Sequence, residues 1–143
     1  MTLVNLQNLA KTGSLKREPA NADELAGLLR SAKARLHDAH NVVLSADSRF
    51  DLAYNAAHAL SLAALRNHGF RSDNRYLVFQ TLPHTLSAPP EVWRVLDKCH
   101  RQRNLAEYEG HLELDDALLD DLLRATDWLL DKVQNVPPEL GEA

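Results

Sequence analysis

Residues 49–68 read RFDLAYNAAHALSLAALRNH and run into Gly69. Nothing in this stretch breaks a helix, and at about 100° per residue Ala53, Ala56, Ala57, Leu60, Ala63 and Ala64 share one side. Small side chains along one stripe let a second helix approach closely, so this is a packing face. Asp51, Tyr54, Asn55 and His58 line the other side, which continues into Leu62 and Leu65. Ser45 or Asp47 can cap the start, and Gly69 suits the left-handed position just past the end. A helix packed on one side and polar in patches on the other sets the terms for the rest of the chain.

Working outward, Asn21 followed by Glu24 makes a capping-box-like start. Leu25, Leu28, Leu29, Ala32, Leu36, Ala39 and Val43 then recur at helical spacing. Before them, Leu3, Val4, Leu6 and Leu9 give one or two apolar turns, and Gly13 and Pro19 mark a connector, so residues 1–20 form an N-terminal arm. On the other side, Tyr76 to Leu82 fits a short helix, while Pro83 and the pair Pro89 and Pro90 bound a loop around His84. Pro89 and Pro90 suit the first turn of a helix with Val92, Val95, Leu96 and Cys99 on one stripe, reaching Tyr108 and stopping at Gly110. A last helix from about Asp115 places Leu118, Leu119, Leu122, Leu123, Thr126, Leu129, Leu130 and Val133 on one face, with Asp116, Asp120, Asp127 and Asp131 outside. Pro137 and Pro138 end it, leaving 137–143 as a frayed tail. With no alternation long enough for a sheet, the expected fold is an all-α bundle with about four main helices over residues 21–136.

The 143 residues suffice for one self-supporting core. With 16 Lys and Arg against 20 Asp and Glu, the net charge of −4 argues against capture of nucleic acid by a broad basic surface, so any such contact must be local. The chain has one cysteine, Cys99, which cannot form an internal disulfide, and the first residues lack the layout of a signal peptide. A cytoplasmic location follows as the expectation. No run approaches the roughly 18 apolar residues of a membrane span.

Extending the stripe of Val92, Leu96 and Cys99 by one turn reaches Arg103, so a guanidinium falls where periodicity predicts burial. Asn104, Glu107 and Tyr108 lie within the next turn and a half to share its hydrogen bonds. One reading is an Arg103–Glu107 pair that pins the helix end. The other is a polar pocket for phosphate or an RNA backbone.

The stretch RFDLAYNAAHALSLAALRNHGF together with HRQRNLAEYEG downstream resembles the HEPN family (higher eukaryotes and prokaryotes nucleotide-binding). The resemblance covers most of residues 21 to 135 and implies a bundle of four or five helices, usually a homodimer. Active members are metal-independent endoribonucleases of toxin and defence systems, with a signature written R-N-x-x-x-H late in the chain. Here Arg103 and Asn104 match its first two positions and Tyr108 stands where the His belongs. The resemblance therefore gives Arg103, Asn104 and Tyr108 as motif positions, with Asp51, Tyr54, Asn55, His58 and Glu107 as a supporting polar face. An unperturbed Tyr, with pKa about 10, keeps its proton at neutral pH. Weak or absent catalysis is implied, with RNA association or a protein-interaction role in its place; an active endoribonuclease is the alternative. His100 precedes Arg103 and His111 lies beyond Gly110, so neither replaces the His by spacing, whereas His58 from the other helix is a candidate to do so.

Other patterns carry less. His37 and His40 could hold a metal only with two further ligands, and otherwise form a solvated helix edge. There is no E-x-x-H pair, Gly-rich phosphate loop or G-x-S-x-G elbow, so no metal or cofactor is called for. Trp128 falls on the acidic side of the last helix, which suggests either a contact between two copies or a seat for the N-terminal arm.

Overall fold

The computed structural model describes residues 2–112 and 114–135; the tail expectation for 137–143 lies outside them. The chain is an all-α bundle. Its helices are α1 (Thr2–Lys11), α2 (Ala22–Ala39), α3 (Ala46–Asn67), α4 (Arg75–Gln80), α5 (Leu82–Thr85), α6 (Pro90–Glu109) and α7 (Asp116–Asn135). Two-residue strands β1 (Lys16–Arg17) and β2 (Phe70–Arg71) pair antiparallel, Lys16 opposite Arg71 and Arg17 opposite Phe70. Such a pair is too short to leave a period-two pattern.

The central element is α3, buried on more of its circumference than the alanine stripe alone implies. Ala53, Ala56, Ala57, Leu60, Ala63 and Ala64 are buried, and so are Phe50, Tyr54, Leu65 and Arg66 from the other side. Ala53, Ala56, Ala57 and Leu60 of that face and Ala32, Leu36 and Ala39 of α2 belong to one core with Leu96 and Cys99 of α6 and Leu118, Leu119, Leu122 and Leu129 of α7. Each fully buried Leu or Phe contributes roughly 1.5–3 kcal/mol relative to exposure. Buried hydroxyls on these helices are satisfied within the helix: Ser61 donates to the Ala57 carbonyl at 2.8 Å and Thr126 to the Leu122 carbonyl at 2.7 Å.

Ends form where the caps act. The Asn21 side chain accepts from the Glu24 amide at 3.0 Å, and the Ser45 hydroxyl accepts from the Ser48 amide at 3.2 Å. Gly69 and Gly110 take φ of 86° and 84° past α3 and α6, a region that favours glycine. Val43 does not extend α2 as its spacing suggests. The Asn41 side chain accepts from the Val43 amide at 3.1 Å, Arg49 Nε takes the Ala39 carbonyl at 2.8 Å, and Val42 and Val43 stand exposed. A side chain and a distant guanidinium thus replace the next helical turn. Around His84 the expected loop is instead the single turn α5, with Pro83 in its first turn, where no amide hydrogen is needed.

The N-terminal arm packs into a second, smaller core. Leu6 and Leu15 are buried with Leu65, Phe70 and Val78. Arg66 anchors it: only 1% of its side chain is exposed, and Nε donates to Glu24 Oε1 at 2.7 Å. Nη1 donates to the Glu18 carbonyl and Nη2 to the Pro19 carbonyl, each at 2.7 Å. Arg71 closes the same knot on Glu18 and Glu24. Burial pushes the Glu24 carboxyl up, but hydrogen bonds and charge from Arg66 and Arg71 outweigh this and hold its pKa below the ordinary carboxylate value. The fully buried arginine is therefore Arg66, not Arg103. Its sequence signal was Glu24, which serves Arg66 rather than reaching back to the amide of the cap.

Trp128 does not stand on an open acidic face. It is partly buried against the main core, with the Lys132 ammonium 5.5 Å from its ring centroid.

Candidate functional site

Three elements meet around Tyr54. The first half of α3 supplies Asp51, Tyr54 and Asn55, α4 supplies Arg75 and Tyr76, and the second half of α6 supplies His100, Arg103 and Asn104. The sequence groups the α3 and α6 residues; it gives no sign of α4 and sets His100 aside on spacing.

Tyr54 is 1% exposed, its ring lying nearly parallel to Phe50 and edge-on to Phe79. Two guanidinium groups converge on that ring, Arg103 at 4.8 Å and Arg75 at 5.6 Å from its centroid. Each is a cation–π contact in part-buried surroundings. Burial raises the Tyr54 pKa above its ordinary value, against the pull of Arg75 and Arg103, so the ring keeps its phenolic proton at neutral pH.

The Tyr54 hydroxyl lies 2.8 Å from His100 Nδ1, and Asn104 Nδ2 lies 3.1 Å from His100 Nε2. A neutral imidazole has one donor and one acceptor, which matches these two partners. With Asn104 donating to Nε2, the proton sits on Nδ1 and is donated to Tyr54; reversing the amide reverses both bonds. Burial lowers the His100 pKa; the charges of Arg75 and Arg103 lower it further, while Asp97 and Glu107 pull the other way. The ring is therefore neutral at pH 7 and fixed in orientation. Tyr76 packs against it at 5.6 Å between centroids.

Arg75 is itself oriented: its Nη1 donates to Asn55 Oδ1 at 3.0 Å, and Asn55 Nδ2 donates to the Asp51 carbonyl at 2.8 Å. Arg103 is less committed. Its side chain is 27% exposed rather than sealed, with Nη1 3.3 Å from Asp51 Oδ1 and Nε 3.9 Å from Glu107 Oε1. Nη1 is buried yet makes no hydrogen bond of good geometry among the described residues. A cleft of about 420 Å³ opens beside it, lined by Asp47, Phe50, Asp51, Arg103, Glu107 and His111 among others. Both partner carboxylates are mostly exposed, at 60% and 71%, and free to swing toward solvent.

Two of the sequence candidates fall outside this arrangement. Tyr108 is 91% exposed, one turn beyond Asn104 and away from the Tyr54 network. His58 sits edge-on to Phe79 with its pKa lowered to about 4, first by burial and then by Arg75. The ring adjoining the arginines is His100, whose place is set by α6 packing against α4 and α3 rather than by spacing from Arg103. His40 meets Asp127 at 3.0 Å, linking α2 to α7. Among the described residues, no group of three or more His, Cys, Asp or Glu is placed to hold a metal, and no helix is long and apolar enough to cross a membrane. Comparison with protein-family models, with curated proteins and with solved structures gives no match.

Proposed function

We propose that this chain is a HEPN-like, RNA-associated module that holds the phosphate backbone of single-stranded RNA at Arg103 and Arg75, with little or no cleavage activity. One observation carries the reading: two guanidinium groups share the Tyr54 ring, and one of them keeps a donor without a hydrogen bond beside an open cleft. Arginine's planar fork suits a phosphate oxygen pair, and a phosphate has only to displace the exposed Asp51 and Glu107 carboxylates. Tyr76, packed against His100, and Tyr108, one turn beyond Asn104, are both solvent-exposed and offer rings for unpaired bases to stack on. The net charge of −4 confines the attraction to this local cluster.

The alternative, an active metal-independent endoribonuclease, draws its support from His100. A neutral imidazole beside Arg103 can accept a proton, but both of its ring nitrogens are engaged by Tyr54 and Asn104. That engagement favours binding over turnover. Fluorescence anisotropy with a labelled single-stranded RNA, paired with a cleavage assay on the same oligonucleotide, tests both readings. The expected result is binding that Arg103→Ala weakens at least tenfold and no cleavage. Cleavage lost in both Arg103→Ala and His100→Gln would establish the enzyme instead, and no binding to any RNA would end both. A homodimer, which the resemblance implies, is read by light scattering of the same protein.

A further inference from the structure

At the opposite half of α3, about 20 Å along the helix from Asp51, α2, α3, α5 and α7 enclose a second space of about 330 Å³. That is roughly ten water volumes and lies within the range of small-molecule sites. Its walls include Leu25, Leu29, Leu86 and Val133, apolar side chains that the bundle leaves only partly buried. The alanines of α2 and α3 that face it, such as Ala26 and Ala64, are too small to fill it.

Two features narrow the occupant. Among the described residues no Asp, Glu, Lys or Arg lines the space, although the chain carries 36 of them, so none of these would offset a buried charge. Its polar side chains are Asn67 and His68 at the end of α3, Thr85 of α5 and Gln134 of α7, and His68 Nε2 lies 3.2 Å from the Thr85 carbonyl. The Thr85 hydroxyl is buried and has no hydrogen-bond partner among the described residues. An unmet hydroxyl on a residue that lines an apolar space is a place for one hydrogen bond once the side chain turns toward it.

We infer that this space binds an uncharged small molecule with a hydrocarbon body and a single oxygen group, which pairs with Thr85. The site is separate from the arginine cluster and does not rest on the RNA reading. Titration of the full-length chain with 1-octanol, followed by proton–nitrogen NMR, tests it. Saturable shifts are expected at amides around Ala26, Ala64, Thr85 and Val133, with octanoate binding at least tenfold more weakly. Thr85→Val should weaken 1-octanol about three- to tenfold by removing a neutral hydrogen bond. Ala22 and Ala26 are solvent-exposed on α2, so Ala26→Phe or Ala22→Phe obstructs the space without disturbing the core, and either should abolish the shifts. The inference is overturned if 1-octanol gives no saturable shifts, if octanoate binds as tightly, or if both Phe variants keep a native spectrum and bind 1-octanol unchanged.

Discussion

Arg66 and Arg103 are both held by helices, both near carboxylates, and put to opposite uses. Arg66 spends its donors on two backbone carbonyls and the Glu24 carboxylate, fastening the N-terminal connector to the end of α3. Arg103 rests on the Tyr54 ring and two exposed carboxylates, and keeps Nη1 without a hydrogen bond beside a cleft. A guanidinium whose donors are consumed by the chain is scaffold, and one with a donor to spare at a cleft is available to a ligand. The contrast lies in hydrogen-bond accounting, since neither the residue type nor the presence of carboxylates separates the two.

The sharpest way to break the comparison is to truncate both arginines. Arg66→Met leaves the Glu18 and Pro19 carbonyls without their donor and Glu24 with Arg71 alone, and should cost about 3 kcal/mol, read by urea denaturation. Arg103→Met removes contacts with groups that water can re-solvate and should cost at most about 1 kcal/mol. Equal losses would erase the distinction.

A second test uses pH. The folded pKa of His58, about 4, lies below its ordinary 6.5, so between those values the unfolded chain binds the extra proton. Stability is then full above pH 6.5 and falls as pH drops toward 4, by up to about 3 kcal/mol. His58→Phe should make the profile shallower in that window, leaving there the contribution of His100, whose folded pKa is also lowered, and below pH 4.5 the later loss from Glu24, whose folded pKa is depressed. An unchanged profile would mean that His58 is not buried against Phe79.

A smaller effect is expected at Tyr54→Phe. It keeps the ring under both arginines but removes the 2.8 Å partner of His100. The loss should be about 1 kcal/mol, with the His100 pKa, followed by NMR, shifting while RNA affinity is retained. RNA affinity lost along with that hydroxyl would move the binding role from Arg103 to the Tyr54–His100 pair.

The bundle was legible because its signals are periodic: the alanine stripe of α3, the leucine stripe of α7 and the glycines at 69 and 110 each declare themselves locally. The pairing of Asp51, Tyr54 and Asn55 with Arg103 and Asn104 was legible as well, since both groups interrupt apolar faces that must pack together. What escaped was set by distance in sequence. Arg66 drew no reading, because its partners Glu18, Pro19 and Glu24 lie more than 40 residues away in sequence. Arg75 and His100 carry no local signal, because only the packing of α4 against α6 and α3 brings them to Tyr54. Tyr108 shows the converse, a residue whose motif spacing matched while the helix turned its ring to solvent. Val43 fitted the period of α2 and was lost to the side chain of Asn41.

The central claim, that Arg103 is held open for phosphate, is tested most directly by the salt dependence of binding to a labelled single-stranded RNA, in wild type and in folded Arg103→Ala. The account predicts that log K falls linearly with log salt in the wild type. Each phosphate contact contributes about 0.7 to that slope, so Arg103→Ala should weaken binding at least tenfold and make the slope shallower by about 0.7. Wild-type and Arg103→Ala proteins with the same affinity and the same slope would contradict it.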